Sequence, residues 1–282
     1  MKDNTDRIYY PASERFPQRA ARWVRLSAKP LMRKINKYTA TAKYLLPPPF
    51  LHSDKVKIAF ISDLHYTGSE KCRKILEEII SVLKEENCGI LLLGGDICAD
   101  SSHLKYLPEV LKQLAACAPK TIAIPGNWER GKTWIPIPQW QEMYKQCGID
   151  FLFNSTVELN GITVTGVDDC GKGYPVLPGE FSSSHCNILL AHRPDTVVWL
   201  DRKKNHLNNC HLALCGHTHA GQIRFIRGLL PASKYGWKFD YGWFNHYLHN
   251  TKMYVTSGTG ELSFPFRLNC RREIVIFCNQ AE

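Results

Sequence analysis

Short apolar runs alternate with longer segments of helical periodicity in the part of the chain that follows residue 55. Three runs rich in Ile, Leu and Val predict buried strands, at 56–62, 89–93 and 121–124. Three segments repeat apolar side chains every three or four positions and predict amphipathic helices, at 70–86, 102–117 and near 139–147. Strands that alternate with helices in this way are typical of an α/β fold.

The second half of the chain is richer in short strand-like segments. The pair Asn160-Gly161 between two of them is the strongest short turn signal in the sequence and predicts a hairpin. We expect strands here at 156–160, 162–167, 187–191, 211–215, 253–257 and 273–278. With 282 residues, the chain is long enough for one large domain or for a domain with an appendage.

Positive charge is concentrated in the first 54 residues. They hold 11 Lys and Arg against 4 Asp and Glu, a net charge of +7 out of +10 for the whole chain. Between Arg15 and Lys43 there are nine basic residues and no acidic one, and apolar side chains recur at roughly helical spacing. We therefore predict a basic amphipathic helical arm with a proline-rich boundary over 1–54 and a globular domain over 55–282.

Two interpretations of this arm stay open. A basic amphipathic helix with Trp at its apolar edge suits an anionic membrane surface, whereas an ordinary helical arm would pack on its own domain. The sequence has no uninterrupted apolar run of membrane-spanning length, no apolar signal segment and no motif typical of nucleic-acid binding. Its 11 cysteines include no C-x-x-C pair. We expect a cytoplasmic protein, peripheral on the inner face of the membrane.

Polar side chains that can bind a metal follow five of the predicted strands. These candidates are Asp63 and His65, Asp96, Asn127, His192, and His217 and His219. The carboxyl ends of strands in an α/β sheet meet at one edge, where such folds place their sites. Side chains two positions apart in an extended strand share a face, so we expect each of the two spaced pairs to point the same way. The pattern predicts a metal site.

The order D-x-H, G-G-D, G-N, H and G-H-T-H closely resembles that of the calcineurin-like metallophosphoesterase superfamily, over about residues 55–280. The segments G-V-D-D (166–169) and G-H-T-H-x-G-Q (216–222) resemble a branch of small bacterial phosphodiesterases and UDP-2,3-diacylglucosamine diphosphatases. The resemblance implies a four-layer α/β/β/α sandwich. It also implies a metal-dependent hydrolase of phosphoric esters or diphosphates.

The resemblance further implies a pair of divalent ions, with Mn²⁺, Fe and Zn²⁺ all compatible with the side chains. One ion takes Asp63, His65, Asp96 and His219. The other takes Asp96, Asn127, His192 and His217. Asp96 then bridges the ions, and Asp96 and Asn127 act in catalysis. Two adjacent ions lower the pKa of a shared water, so that hydroxide is present at neutral pH for in-line attack on phosphorus.

One motif departs from the family pattern. The family usually has G-N-H-D or G-N-H-E, whose His is thought to protonate the leaving group, but this chain has Trp128 at that position. Indole cannot act as a general acid, and the absence of one lowers the rate of hydrolysis of an ordinary alkyl ester by roughly 10²–10⁴-fold. The loss slows hydrolysis of a diphosphate less, because the leaving group of a diphosphate is itself a phosphate. Trp128 could instead stack on a base or sugar, a nearby His outside the motif could donate the proton, or the enzyme could have lost activity. Arg130, Lys132 and Arg193 could hold a second phosphate.

We therefore favour a lipid-linked diphosphate such as UDP-2,3-diacylglucosamine, a precursor in lipid A biosynthesis, cleaved at an anionic membrane surface. Two alternatives stay open: a general phosphodiesterase for small or nucleotide substrates, and a catalytically weak metal-containing protein that docks on membranes. A set of aromatic and apolar residues could line an acyl groove, or could simply be packing: Trp134, Ile135, Ile137, Trp140, Trp237, Phe239, Trp243 and Phe244.

Overall fold

The structure is a computed structural model that describes residues 39–46, 57–202, 207–224, 238–244, 251–262 and 266–278. Its strands are β1 (Thr39–Leu45), β2 (Lys57–Ile61), β3 (Ile90–Leu93), β4 (Lys120–Ala123), β5 (Ile149–Phe151), β6 (Ser155–Leu159), β7 (Ile162–Gly166), β8 (Cys186–Leu190), β9 (Cys210–Cys215), β10 (Gly242–Phe244), β11 (Lys252–Val255) and β12 (Arg272–Cys278). Its α-helices are α1 (Glu70–Glu86), α2 (Leu107–Ala115), α3 (Asn127–Gly131), α4 (Ile137–Gln146) and α5 (Pro194–Arg202). Two short 3₁₀ helices cover Ser101–Tyr106 and His219–Gly221.

The strands form two six-stranded sheets. The first has the order β1-β12-β2-β3-β4-β5, in which only the β12–β2 pair is antiparallel. The second has the order β10-β11-β9-β8-β7-β6, parallel from β11 to β7 and antiparallel at both edges. Neighbouring parallel strands end on the same side of each sheet, so the loops that follow them are brought together.

Alternation along the strands divides the core into three layers of apolar side chains. In β2, Ile58 and Phe60 belong to the cluster between the two sheets, and Ala59 and Ile61 to the cluster under α1, α2 and α4. In the second sheet, Leu189 of β8 joins a third cluster under α5. Because a strand directs successive side chains to opposite faces, each sheet is covered on both sides. The predicted α/β/β/α sandwich is confirmed.

Local chemistry explains where α1 begins and ends. The Ser69 side chain accepts a hydrogen bond from the Cys72 backbone N–H, and Asn87 closes the helix in a left-handed conformation with φ of 49°. Its range agrees with the prediction for 70–86. The prediction of one helix over 102–117 is wrong at its start, where Asp100 caps a 3₁₀ turn and α2 begins only at Leu107, next to Pro108.

The predicted helical arm is wrong over Thr39–Leu45, which form β1 and pair in parallel register with β12. Tyr44 of this strand packs edge-on against Trp243, with ring centroids 5.3 Å apart, and Leu46 is buried between the sheets. Helical spacing in the preceding residues concealed this short strand, whose pairing depends on a partner more than 200 residues away. The remaining positions of the arm, 1–38 and 47–54, lie outside the described residues. No helix in the described part of the chain is long and apolar enough to cross a membrane.

A pair of truncations tests whether β1 belongs to the folded domain. A protein that begins at residue 39 keeps β1, whereas one that begins at residue 47 loses β1 and Leu46. Loss of one core leucine costs about 2–5 kcal/mol, and each kcal/mol shifts Tm by about 2–4 °C in a domain of this size. We expect the shorter protein to unfold about 10 °C lower in a thermal scan. Equal midpoints would show that the strand contributes nothing to stability.

Candidate metal centre

Tight turns, and not extended strands, present most of the predicted ligands. The strands β2 and β9 end at Ile61 and Cys215, before the ligands begin. Five of the seven candidates have left-handed backbones, with φ of 57° at Asp63, 46° at His65, 54° at Asp96, 70° at His217 and 49° at His219. Each such residue costs of the order of 1–3 kcal/mol and persists only where its surroundings enforce it. The pairs therefore do not lie on strand faces as expected: Asp63 and His65 still join the same group, but His217 and His219 point to different groups.

Two glycines leave space for the carboxylates. A Cβ at Gly216 would lie 2.2 Å from Asp63 Oδ2, and a Cβ at Gly126 would lie 2.0 Å from Asp96 Oδ1. Both distances are far below van der Waals contact, so any side chain at either position would displace a carboxylate. The backbone N–H of His217 donates to Asp63 Oδ2 over 2.9 Å, which holds this carboxylate against the turn after β9.

The first group of metal-capable side chains is Asp63, His65 and His219. All three are buried, and one ligand atom from each lies within 4.8 Å of the others. The Nε2 atoms of His65 and His219 face each other over 3.1 Å. Asp63 Oδ1 lies 3.5 Å from Nε2 of His219 and 3.9 Å from Nε2 of His65. These atoms surround one small space that could hold a cation.

The second group is Asp96, His192 and His217, also buried and within the same spacing. His192 Nε2 lies 3.3 Å from Asp96 Oδ2 and 2.9 Å from Asn127 Oδ1. The Nδ1 atom of His192 lies 2.8 Å from the Gly94 carbonyl oxygen, to which it donates. This contact fixes the ring so that Nε2 faces the site, the arrangement that metal-binding histidines usually have.

Asp96 lies between the two groups. Its Oδ2 atom is 3.3 Å from Nε2 of His192 and 3.7 Å from Nε2 of His65, and its Oδ1 atom accepts the Trp128 backbone N–H over 2.8 Å. The donor set of two carboxylates, four imidazoles and one carboxamide suits divalent Mn, Fe or Zn. The residues therefore fit two divalent ions, with Asp96 facing side chains of both groups.

The pKa shifts of the ligands show that the buried centre needs positive charge to balance its carboxylates. Burial raises the pKa of Asp63, although His192 partly opposes this shift. Burial would lower the pKa of His192, but the neighbouring Asp96 and Asp63 carboxylates raise it to about 10. Burial and the neighbouring His65 lower the pKa of His219 well below its usual range. A proton at His192 thus offsets the carboxylate charge, and a divalent ion must displace it.

Glu129 is a supporting residue to which the sequence reasoning assigned no role. Its buried carboxylate accepts backbone N–H groups from Asp96 at 2.9 Å, Ile97 at 2.8 Å and Gly126 at 2.9 Å. These bonds tie the loop after β3 to the loop after β4. Burial and the nearby Asp96 charge raise the pKa of Glu129 to about 7. The sequence offers one signal for this role, because Glu129 lies two residues after Asn127 in the same motif.

Arg267 is a second functional residue that the sequence reasoning missed. Its guanidinium is buried, and Nη2 lies 3.2 Å from Nδ1 of His219. It also donates to the carbonyl oxygens of Ser257 at 2.8 Å and Gly260 at 3.0 Å. No local pattern marks this arginine, because it follows His219 by 48 residues and meets it only in the fold.

The predicted substrate-binding residues occupy different places. Trp128 is half-buried, and its ring lies edge-on to His65 with centroids 4.6 Å apart. Lys132 is exposed, with Nζ 5.7 Å from the centre of the Trp128 ring. Arg130 donates to both carboxylate oxygens of Asp168. Arg193 is only 1% exposed and donates to Asp169 over 2.7 Å, so its charge supports the fold and does not reach solvent.

Comparison with known proteins agrees with this geometry. Residues 56–221 match the sequence model of the calcineurin-like phosphoesterases. Over 227 residues the chain is 30% identical to "Phosphodiesterase YaeI" of Escherichia coli, a match that covers 78% of this chain and 80% of that protein. Over 229 residues it is 30% identical to an uncharacterized metallophosphoesterase of Helicobacter pylori, covering 78% of this chain and 58% of that protein.

The chain also aligns with a solved structure. The crystal structure of a dimetal phosphatase from Danio rerio aligns with a TM-score of 0.48 and 11% identity, covering 73% of this chain and 88% of that one. The sequence matches place the chain in the calcineurin-like phosphoesterase family. It is a metal-dependent phosphoester hydrolase, and the two groups of metal-capable side chains in its centre fit a cofactor of two divalent metal ions.

Replacement of Gly216 by Ala tests the spacing of the centre. The added methyl group must displace Asp63, and a misplacement of about 1 Å can cost 10²-fold in activity. We expect Gly216→Ala to lose about a hundredfold in metal-dependent turnover and to retain less metal by elemental analysis. Gly179→Ala is the matched control, because a Cβ there meets nothing within 4 Å. Full metal content in the Gly216 variant would contradict the arrangement.

Proposed function

We propose that the chain hydrolyses a phosphodiester or diphosphate bond at two metal ions held by the seven side chains described above. Asp63, His65, Asp96 and His219 would hold one ion, and Asp96, Asn127, His192 and His217 would hold the other. The observation that carries the proposal is the position of Asp96, whose carboxylate faces imidazoles of both groups within 3.7 Å. Similarity to a protein named as a phosphodiesterase supports the diester class.

Two divalent ions supply the activation of water and the neutralisation of charge on phosphate oxygens. The protein residues orient this chemistry. Asp96 and Asn127 set the position of the reacting centre, since Asn127 Oδ1 lies within 2.9 Å of His192 Nε2. Gly94 and Glu129 hold the two loops that carry these ligands. Burial of the ligands keeps bulk water from competing with the ordered donors.

Trp128 determines which leaving groups the site favours. Its ring lies beside His65 at the edge of the first group, where the family usually has a histidine. The indole N–H does not ionise near neutral pH, so it cannot transfer a proton to a departing alkoxide. An aryl oxide or a phosphate departs without a proton from the protein. We infer that the natural substrate has such a leaving group, and that the indole and Lys132 contact it.

Substitution of Trp128 by His tests this inference. A histidine at 128 restores a general acid, worth roughly 10²–10⁴-fold when ideally placed. We expect Trp128→His to increase kcat at least about tenfold for glycerophosphoethanolamine, which has an alkoxide leaving group. Turnover of bis-p-nitrophenyl phosphate should change less than about twofold, because nitrophenolate needs no proton.

Trp128→Phe is the control for this substitution. Phenylalanine keeps an aromatic contact with His65 but has no dissociable proton, so it should leave the ratio of alkyl to aryl rates unchanged. An equal gain in the Phe variant would show that removal of bulk, and not proton transfer, explains the effect. The leaving-group argument would then fail.

A lipid-linked diphosphate, such as UDP-2,3-diacylglucosamine, is the second candidate substrate. The absence of a general acid at Trp128 favours a diphosphate over an alkyl ester. The acyl groove, however, does not form as a single surface. Trp140 is fully buried in the cluster under α4 and Phe239 in the cluster under α5, whereas Trp134 is 91% exposed. Trp237 and the basic arm lie outside the described residues.

Turnover of this lipid in parallel with a simple diester decides between the two substrate classes. Enzyme loaded with Mn²⁺ should cleave the diphosphate at least as efficiently as bis-p-nitrophenyl phosphate if the lipid is the substrate. Ready cleavage of the diester with the lipid left intact would reject the candidate. Sedimentation with anionic vesicles, compared for the full chain and a protein that begins at residue 39, tests the proposed membrane contact of the arm separately.

A further inference from the structure

A cavity of about 560 Å³ opens beside the first group of ligands. Four arginines contribute to its wall, together with Ala220 and Glu273: Arg224, Arg267, Arg271 and Arg272. This volume lies within the range of sites that bind small molecules. Ala220 directly follows the ligand His219, so the cavity adjoins the metal centre.

Arg267 connects the cavity to the centre. One of its guanidinium nitrogens lies 3.2 Å from His219 Nδ1, and the residue is also part of the cavity wall. Backbone carbonyl oxygens of Ser257 and Gly260 fix the guanidinium in place. Arg267 is only 3% exposed and its N–H groups already have partners, so it contributes a fixed positive charge behind the cavity wall and no hydrogen bond to a molecule in the cavity.

The other charges in the wall are held by partners around it. Arg224 pairs with Asp240 over 2.6 Å, and Arg272 pairs with Glu261 over 3.3 Å. Both guanidinium groups are paired with carboxylates, so they add little net charge to the wall. Arg271 is exposed and supplies the excess positive charge. Guanidinium groups bind phosphate oxygens through paired hydrogen bonds and are only weakly hydrated.

Glu273 is the acidic residue of the wall, and its oxygens are already used. It accepts hydrogen bonds from the hydroxyl groups of Tyr241 at 2.8 Å, Tyr254 at 3.0 Å and Thr256 at 2.8 Å. A carboxylate with three internal donors needs no cation from the cavity. The cavity wall thus favours an anion, because the oxygens of Glu273 are already used and do not attract a cation.

We propose that this cavity binds a second phosphate group of a substrate whose reacting phosphate lies at the metal centre. The proposal rests on the function proposed above and narrows it to phosphodiesters that carry a further phosphate. The reacting phosphate lies at His65 and His219, and the second phosphate extends past Ala220 toward Arg271. Arg271 supplies the hydrogen bonds to the second phosphate, and Arg267 adds positive charge from behind the wall.

Two chromogenic esters test the proposal. Thymidine 5′-(p-nitrophenyl phosphate) and its 3′-phosphorylated form share a scissile bond and a leaving group and differ only in the second phosphate. We expect a KM at least about tenfold lower for the phosphorylated ester, because charged hydrogen bonds contribute about 1.5–3 kcal/mol. Arg271→Gln should remove most of this preference and leave kcat/KM for the simple ester within about twofold.

Lys112→Gln is the matched control, since it removes one exposed positive charge from α2, on the outer side of the first sheet. It should keep the full preference. Inorganic phosphate, added as a competitor, should raise KM for the phosphorylated ester more than for the simple ester if the cavity is a phosphate subsite. Equal KM values in the wild-type enzyme, or a preference that survives Arg271→Gln, would overturn the proposal.

Turnover of bis-p-nitrophenyl phosphate separates this proposal from the function on which it rests. If no divalent metal supports cleavage of that ester, the phosphodiesterase function itself fails. If the ester is cleaved but the wild-type enzyme shows no preference for the second phosphate, only the cavity assignment fails.

Discussion

The structure depends on the burial of two carboxylates, Asp63 and Asp96, within one site. Both are almost fully excluded from solvent, and Asp96 faces imidazoles of both ligand groups. Buried charges of one sign repel strongly and lose their hydration, so such a pair is stable only with compensating charge. In the metal-free protein a proton on His192 supplies part of it. Two divalent cations supply the rest, which links metal binding to the stability of the loops.

The turns that carry the ligands are strained, and their surroundings hold them in place. The left-handed residues Asp63 and Asp96 lie in adjacent loops, where the Asp63 N–H donates to the Gly95 carbonyl over 3.0 Å. Glu129 accepts three further backbone N–H groups from the same region. These bonds use donors that a turn leaves unpaired, so they offset the cost of the unusual backbone. Removal of Glu129 would loosen both metal sites together.

The alternation of strands and helices along the chain was predicted from the sequence, and the sandwich from the family resemblance. The seven predicted ligands lie close together in the structure, because strands that end in Asp, His or Asn form a pattern that is visible locally. Strand periodicity alone would place His217 and His219 on one face, whereas left-handed turns after β9 direct them to different groups, which is the division that the family resemblance implied. The sequence reasoning missed β1 and Arg267, whose partners are β12 and His219. Contacts between distant segments leave no short-range pattern.

Two side chains contact the histidines of the first ligand group, and in the function proposed above they have different roles in substrate recognition. Trp128 lies against His65 on one side, and Arg267 contacts His219 on the other. The indole offers no proton, so the leaving group on its side must be stable as an anion. The guanidinium offers fixed charge, so the retained part of the substrate on its side is best stabilised if it carries an anion. A phosphodiester with a good leaving group at one end and a second phosphate at the other matches both side chains, whereas a simple alkyl ester matches neither.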